Sequence, residues 1–222
     1  MDKCNEQFVK SLDFEYRDKI IEISSSPLAN LVDTTIFKGI PIFGSLVSLY
    51  DVHDALTRRH RIKKIATFLV EIENNVESKK LEKYKQEILS RDAAFIEDLD
   101  FILLILDKLI EDSKAKYIGK LYKAFLDKKI DLNEFKSMSI SLSQLLEYDI
   151  EFLSQYIITT LRDHPSNSDS ISRLVAAGLI HENEQTLKIP TTLNEITIPP
   201  SDYIRYEPTP FGNKFIECIT NY

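Results

Sequence analysis

"FIEDLDFILLILDKLIED", residues 95–112, decides the fold class. At about 100° per residue, Phe95, Leu99, Ile102, Leu103, Leu106, Leu109 and Ile110 form a broad apolar face at three-to-four spacing. Glu97, Asp100, Asp107, Lys108 and Glu111 form the opposite stripe, with Leu104 inside it. The spacing predicts a helix over 79–112, with a break near Ser90, covered on both sides at mid-length and central to the core. The run "FILLIL" is far short of the roughly 20 apolar residues that a bilayer span needs.

The same period extends in both directions. In "SKAKYIGKLYKAFLDKKI", residues 113–130, Tyr117, Ile118, Leu121, Tyr122 and Phe125 are expected to face inward, and Lys116, Lys120 and Lys123 outward. Asp131 and Glu134 have capping-box spacing, with Asp in place of Ser or Thr, and open a helix bearing Phe135, Met138, Leu142 and Leu145. Residues 147–163 supply another, with Ile150, Leu153, Ile157 and Leu161 on one side. Upstream, 5–23 reads as a polar-rich helix stopped by "SSSP", and 28–37 as a second one ending at Gly39 and Pro41. After Pro41, Ile62, Ile65, Leu69 and Ile72 share one face while Leu46, Leu49 and Leu56 project to the other, which predicts a long helix, bent or broken.

Beyond "DHPSNSDS" the rules change: six of the eight prolines lie in the last 58 residues. A short helix at 169–177 is followed by Gly178 as a C-terminal cap. The β-branched runs "TLKIP", "EITI" and "YIRYEP" read as strands. "TPFGNKFIECI" closes with a helix whose Phe211, Phe215 and Ile219 recur every four residues. The expected fold is mainly α: a multi-helix body over 1–164 and a small α+β, winged-helix-like C-terminal module over 165–222.

The chain of 222 residues carries a formal charge of −7, which disfavours generic polyanion binding. From 165 onward four basic residues face seven acidic ones, and the helix that would read DNA holds one Arg and one Asp, so nucleic acid is not the expected partner. Cys4 and Cys218 define neither a disulfide framework nor a metal site, and the expected compartment is a reducing cytoplasm. The charged first residues, "MDKCNEQFVKSLDFEYRDK", do not read as a signal peptide.

Chemistry-bearing patterns are sparse. Asp51, His53 and Asp54 diverge on a helix and do not converge on an ion. An EF-hand register over 123–135 would put Lys123 and Phe125 where oxygen donors are required. No HExxH, paired CxxC, P-loop or GxSxG occurs. The expectation is no catalytic residue, cofactor, metal or small-molecule substrate.

Two segments stand out instead. Arg58, Arg59, Arg61, Lys63 and Lys64 form a basic cluster that reads either as a solvated helix face paired with acidic side chains or as a contact for polyanion or anionic lipid. The apolar segment before it, with Ile36, Ile40, Ile42, Phe43 and Leu46, reads either as a buried hairpin or as an exposable interaction element.

"KGIPIFGSLVSLYDVHDALTRRHRIKKIATFLVEI" (38–72), "DSKAKYIGKLYKAFLDKKIDLNEF" (112–135) and "RLVAAGLI … YEPTPFGNKFIECI" (173–180 and 206–219) together resemble the abortive-infection alpha family of bacterial proteins. The resemblance covers most of the chain from about residue 36 and rests on hydrophobic patterns. It implies membership of a group linked to phage defence, in which an infected cell halts growth before virus is released. The expected role is non-enzymatic, through contact with a protein partner, with a second copy or with the surface of the inner membrane. The alternative is a cytoplasmic adaptor or regulator whose C-terminal module binds a protein partner or, as the lesser option, DNA.

Overall fold

The computed structural model describes residues 3–28, 31, 39–43, 55–74, 76–90, 92–156, 168–185 and 203–221. They divide into two compact units, 1–143 and 144–221. The described residues are mainly helical, with a two-stranded antiparallel sheet near the C-terminus.

The first unit contains α1 (Lys3–Ser11), α2 (Phe14–Ser25), α3 (Ala55–Glu73), α4 (Ser78–Ser90), α5 (Asp92–Lys108), a 3₁₀ turn at Asp112–Lys114, α6 (Ala115–Leu126) and α7 (Leu132–Gln144). The single N-terminal helix expected over 5–23 is two, because Asp13 takes an extended conformation (φ −79°, ψ 143°) and restarts the chain as the N-cap of α2. The other early helix, 28–37, lies largely outside the described residues, as do Leu46 and Leu49.

α3 is the axis of this unit, packing chiefly on α2 and α6. Ile62, Ile65, Leu69 and Ile72 are all buried, as their shared face predicts, whereas Leu56 is exposed. α6 approaches α3 closely at Gly119: a Cβ there would stand 2.7 Å from the Cβ of Glu71. Rings then link the helices, Phe8 to Phe68 (6.3 Å between centroids), Phe68 to Tyr122 (5.7 Å) and Tyr122 to Phe135 (5.6 Å). Tilted ring pairs at these separations add to plain apolar burial.

Three expectations about this core need correction. Ile110, placed on the apolar face of a helix reaching residue 112, is 78% exposed, because α5 ends at Lys108. Leu104 is 55% exposed, so α5 is not covered on both sides at mid-length; Ile105 is buried instead, and the more enclosed helix is α6. Lys123, expected to face outward, is 3% exposed. Its Nζ donates to the backbone carbonyls of Glu71 (3.1 Å), in the last turn of α3, and of Asn74 (3.0 Å), just beyond its end. A long aliphatic stem lets a lysine cross apolar packing and deliver its charge to the negative end of a neighbouring helix.

The α6–α7 connection follows local rules. Asp131 and Glu134 form the reciprocal capping box: the Glu134 amide donates to Asp131 Oδ1 (2.8 Å) and the Asp131 amide to Glu134 Oε2 (3.0 Å). α6 ends in a Schellman turn, with the Lys128 amide donating to Phe125 O and the Lys129 amide to Ala124 O, both at 2.9 Å. The left-handed position is filled by Lys128 (φ 61°) rather than glycine. Lys128→Gly is therefore expected to stabilise the unit by about 0.5–1 kcal/mol, relief of the strained φ outweighing the added freedom of the unfolded chain. A rise in the thermal unfolding midpoint measures it. The exposed Lys128–Glu87 pair (3.7 Å) that it removes contributes little.

The second unit contains α8 (Glu147–Tyr156), α9 (Ser168–Ala176), β1 (Ile180–Gln185), β2 (Tyr203–Pro208) and α10 (Pro210–Thr220). Its boundary precedes the expected 165 because α8 belongs with α9 and α10, tied by the Asp149–Arg173 pair described below. β1 pairs with β2 antiparallel, Ile180 opposite Pro208 and Gln185 opposite Tyr203. "YIRYEP" is the second of these strands; β1 begins directly after Leu179 and was not anticipated, while "TLKIP" and "EITI" lie outside the described residues.

Gly178 caps α9 as expected. It sits at φ +74°, its amide donates to Val175 O (2.9 Å), and the Leu179 amide reaches back to Leu174 O (3.0 Å) with both leucines buried. This turn receives α10. The Thr209 amide donates to Leu179 O (2.9 Å), the Thr209 hydroxyl donates to Gly178 O (2.7 Å), and the same oxygen accepts the Gly212 amide (2.8 Å) as the helix N-cap.

Candidate functional site

The basic cluster opens α3, beside the C-terminal end of α5 and the 3₁₀ turn. Arg61 makes a two-pronged bond to Asp107, Nε to Oδ1 at 2.7 Å and Nη2 to Oδ2 at 2.6 Å. The Lys63 ammonium donates to Ser26 O (3.0 Å), and that of Lys64, 7% exposed, to Leu109 O (2.5 Å). His60 Nδ1 stands 3.0 and 2.9 Å from the two carboxylate oxygens of Asp112. Burial pushes the Lys64 ammonium below its ordinary pKa, against the pull of Asp112 and Asp107. Arg58 and Arg59 are half-buried on the same turn. As ligands for a phosphate or lipid headgroup, Arg61, Lys63 and Lys64 would first have to give up bonds within their own unit.

The apolar segment is core where it is described. Ile40, Ile42 and Phe43 are at most 1% exposed, and the Ile42 amide donates to the Ser11 hydroxyl (2.9 Å), which itself donates to Gln7 O (2.8 Å). Ile36 and Leu46 lie outside the described residues.

Sequence reasoning missed a charged corner at the end of α3, where Arg17 of α2, Asp13 at its cap and Lys85 of α4 act on Glu73. Lys85 of α4 is bonded to Asp13 Oδ1 (2.7 Å) and to Glu82 Oε1 (2.8 Å). Glu73, 7% exposed, lies in the field of Arg17, Lys85 and Asp13, and its Oε1 is buried with no hydrogen-bond partner. Burial is the main cause that raises its pKa from 4.5 to about 7; Arg17 and Lys85 oppose the rise and Asp13 adds to it. No local pattern announces this, because the partners come from sequence separations that periodicity does not report.

In the second unit Asp149, with no exposed surface, is held by Arg173 from α9, Nε to Oδ2 at 2.7 Å and Nη2 to Oδ1 at 2.8 Å, and accepts the Leu146 amide (2.8 Å). Burial alone would raise this carboxyl. The bonds from Arg173, Ser170 and Leu146 outweigh it and leave the pKa below the ordinary value. Next to this buried pair α8 shows an apolar surface: Tyr148 is 56% exposed with its ring stacked on that of Phe152 (6.4 Å, 19°), and Leu146 is also exposed.

Among the described residues no His, Cys, Asp and Glu side chains gather in a group that could hold a metal ion. None of their helices is long and apolar enough to cross a membrane. What these clusters do chemically is bind charge to charge, with one acid, Glu73, poised to exchange a proton near neutrality. Fold and clusters thus define a class, a helical unit followed by a small α+β unit that holds a buried Asp149 paired with Arg173. Compared with protein-family models, with curated proteins and with solved structures, the chain matches none.

Proposed function

We propose that this chain is a non-enzymatic phage-defence protein of the abortive-infection type, acting through contact with a protein partner. We further propose that its C-terminal unit is winged-helix-like. The order α9, glycine turn, β1, β2, α10 supports the second part.

One observation supports the contact with a protein partner. Beside the bonded Asp149–Arg173 pair, Leu146 and Tyr148 are exposed, and the Tyr148 ring stacks on that of the half-buried Phe152. Exposed aromatic side chains are favoured anchors at protein interfaces because they bury much area at small entropic cost. The acidic balance of 165–222 supports a protein partner over nucleic acid.

Expression of the wild-type chain in a susceptible bacterium is expected to lower plaque numbers for at least one member of a phage panel, with early growth arrest of infected cells. The double variant Leu146→Ser/Tyr148→Ser, at equal protein level and equal thermal stability, is expected to plaque like the empty vector. Plaque numbers unchanged by the wild type across the panel would overturn the defence role; full protection by the variant would overturn the α8 contact.

A further inference from the structure

We infer that the Glu73 carboxyl is a proton-operated latch of the first unit: the corner formed by the end of α3 with α2 and α4 closes over the neutral acid and loosens when the acid ionises.

The geometry sets the two states apart. A neutral carboxyl is tolerated in a buried corner, but a carboxylate offers about four acceptor positions and demands donors for them. Glu73 Oε1 has none, although it is buried. The nearby cations are poorly placed to supply them. Lys85 of α4 is committed to Asp13 and Glu82, and Arg17 of α2 lies on an exposed position. Asp13, the cap of α2, adds a like charge. From α6, Lys116, Lys120 and Lys123 act on Glu71, and Lys123 also caps the carbonyls of Glu71 and Asn74. The charges that α5 and the 3₁₀ turn direct at α3, Asp107 and Asp112, meet Arg61 and His60 at its opposite end.

The sign follows. The folded acid holds its proton to about pH 7 while the unfolded one releases it near 4.5, so the folded state binds more protons between those values. Stability therefore falls as pH rises through that window and levels off above it.

The test uses the full chain. In a carbon-detected NMR titration the Glu73 carboxyl, assigned by its loss in Glu73→Gln, is expected to titrate near neutrality; a midpoint in the ordinary carboxylate range would overturn the latch. In amide hydrogen exchange at pH 6 and pH 8, corrected for intrinsic chemistry, residues 14–25 and 78–90 are expected to lose protection at the higher pH in the wild type and to keep it in Glu73→Gln. No loss in the wild type, equal loss in the variant, or equal loss over 115–144 each overturns it. Should the variant fail to fold, the wild-type exchange pattern decides.

Discussion

Gly212→Ala is expected to unfold the C-terminal unit at temperatures where the first unit stands. The alanine Cβ would lie 1.9 Å from the Leu179 carbonyl oxygen and 2.8 Å from its carbon. Both are backbone atoms of the turn that ends α9, so no side chain can swing away. α10 must withdraw, and with it go the bonds of Thr209 to Gly178 O, Leu179 O and the Gly212 amide. Overpacking on rigid backbone costs about 1–3 kcal/mol or more, and the lost helix cap about 1 more. Together about 2–4 kcal/mol is expected, a drop of about thirtyfold to several hundredfold in hydrogen-exchange protection over 203–220.

Gly178→Ala is the control. Nothing lies within 4 Å of a Cβ there, so only the positive φ is penalised, at about 1–2 kcal/mol. A Gly212→Ala protein no less stable than Gly178→Ala would show that the docking of α10 on the α9 turn is wrong.

These two glycines also show how far a sequence can be read. Gly178 was legible, because a cap at the end of a periodic segment is a local requirement. Gly212 follows Thr-Pro-Phe, which marks a helix start, but the reason for a glycine lies more than thirty residues away in Leu179 O. The same divide runs through the first unit. The Asp131–Glu134 box and the buried face of α3 were predicted from spacing alone.

Lys123 and Leu104 were misassigned because amphipathicity presumes that a charged side chain wants water and an apolar one does not. Lys123 finds helix-end carbonyls inside the protein, and Leu104 is left in solvent. Of the basic cluster, composition showed the charge but not the acceptors, Asp107, Ser26 O and Leu109 O, which only the tertiary fold brings to α3. Glu73 gave no local sign at all, since the charges that act on it, Arg17, Lys85 and Asp13, come from distant parts of the sequence.

Loss of Arg173 is expected to cost far more than loss of the charge it faces. In Arg173→Met the Asp149 carboxylate stays fully buried and keeps only the Leu146 amide and Ser170 as donors. Leaving one member of a buried ion pair typically costs about 3–5 kcal/mol. In Asp149→Asn the guanidinium, about a third exposed, can turn to water, and the expected cost is about 1–3 kcal/mol for the disrupted hydrogen bonds.

Acid tells the two apart. In the wild type Asp149 titrates below its unfolded value, so its contribution is complete above about pH 4 and is lost as pH falls through the folded value. In Arg173→Met burial dominates and the acid titrates above its unfolded value, so acidification protonates it and removes the penalty. The gap between wild type and Arg173→Met is therefore expected to narrow from neutral pH toward pH 4, whereas the gap to Asp149→Asn, where no charge is stranded, changes little until the wild-type acid itself takes up a proton. Urea titrations followed by hydrogen exchange over 147–156 and 168–176 at both pH values measure the two gaps. An Arg173→Met deficit that does not shrink in acid would mean that Asp149 is not the buried charge on which α8 and α9 are joined.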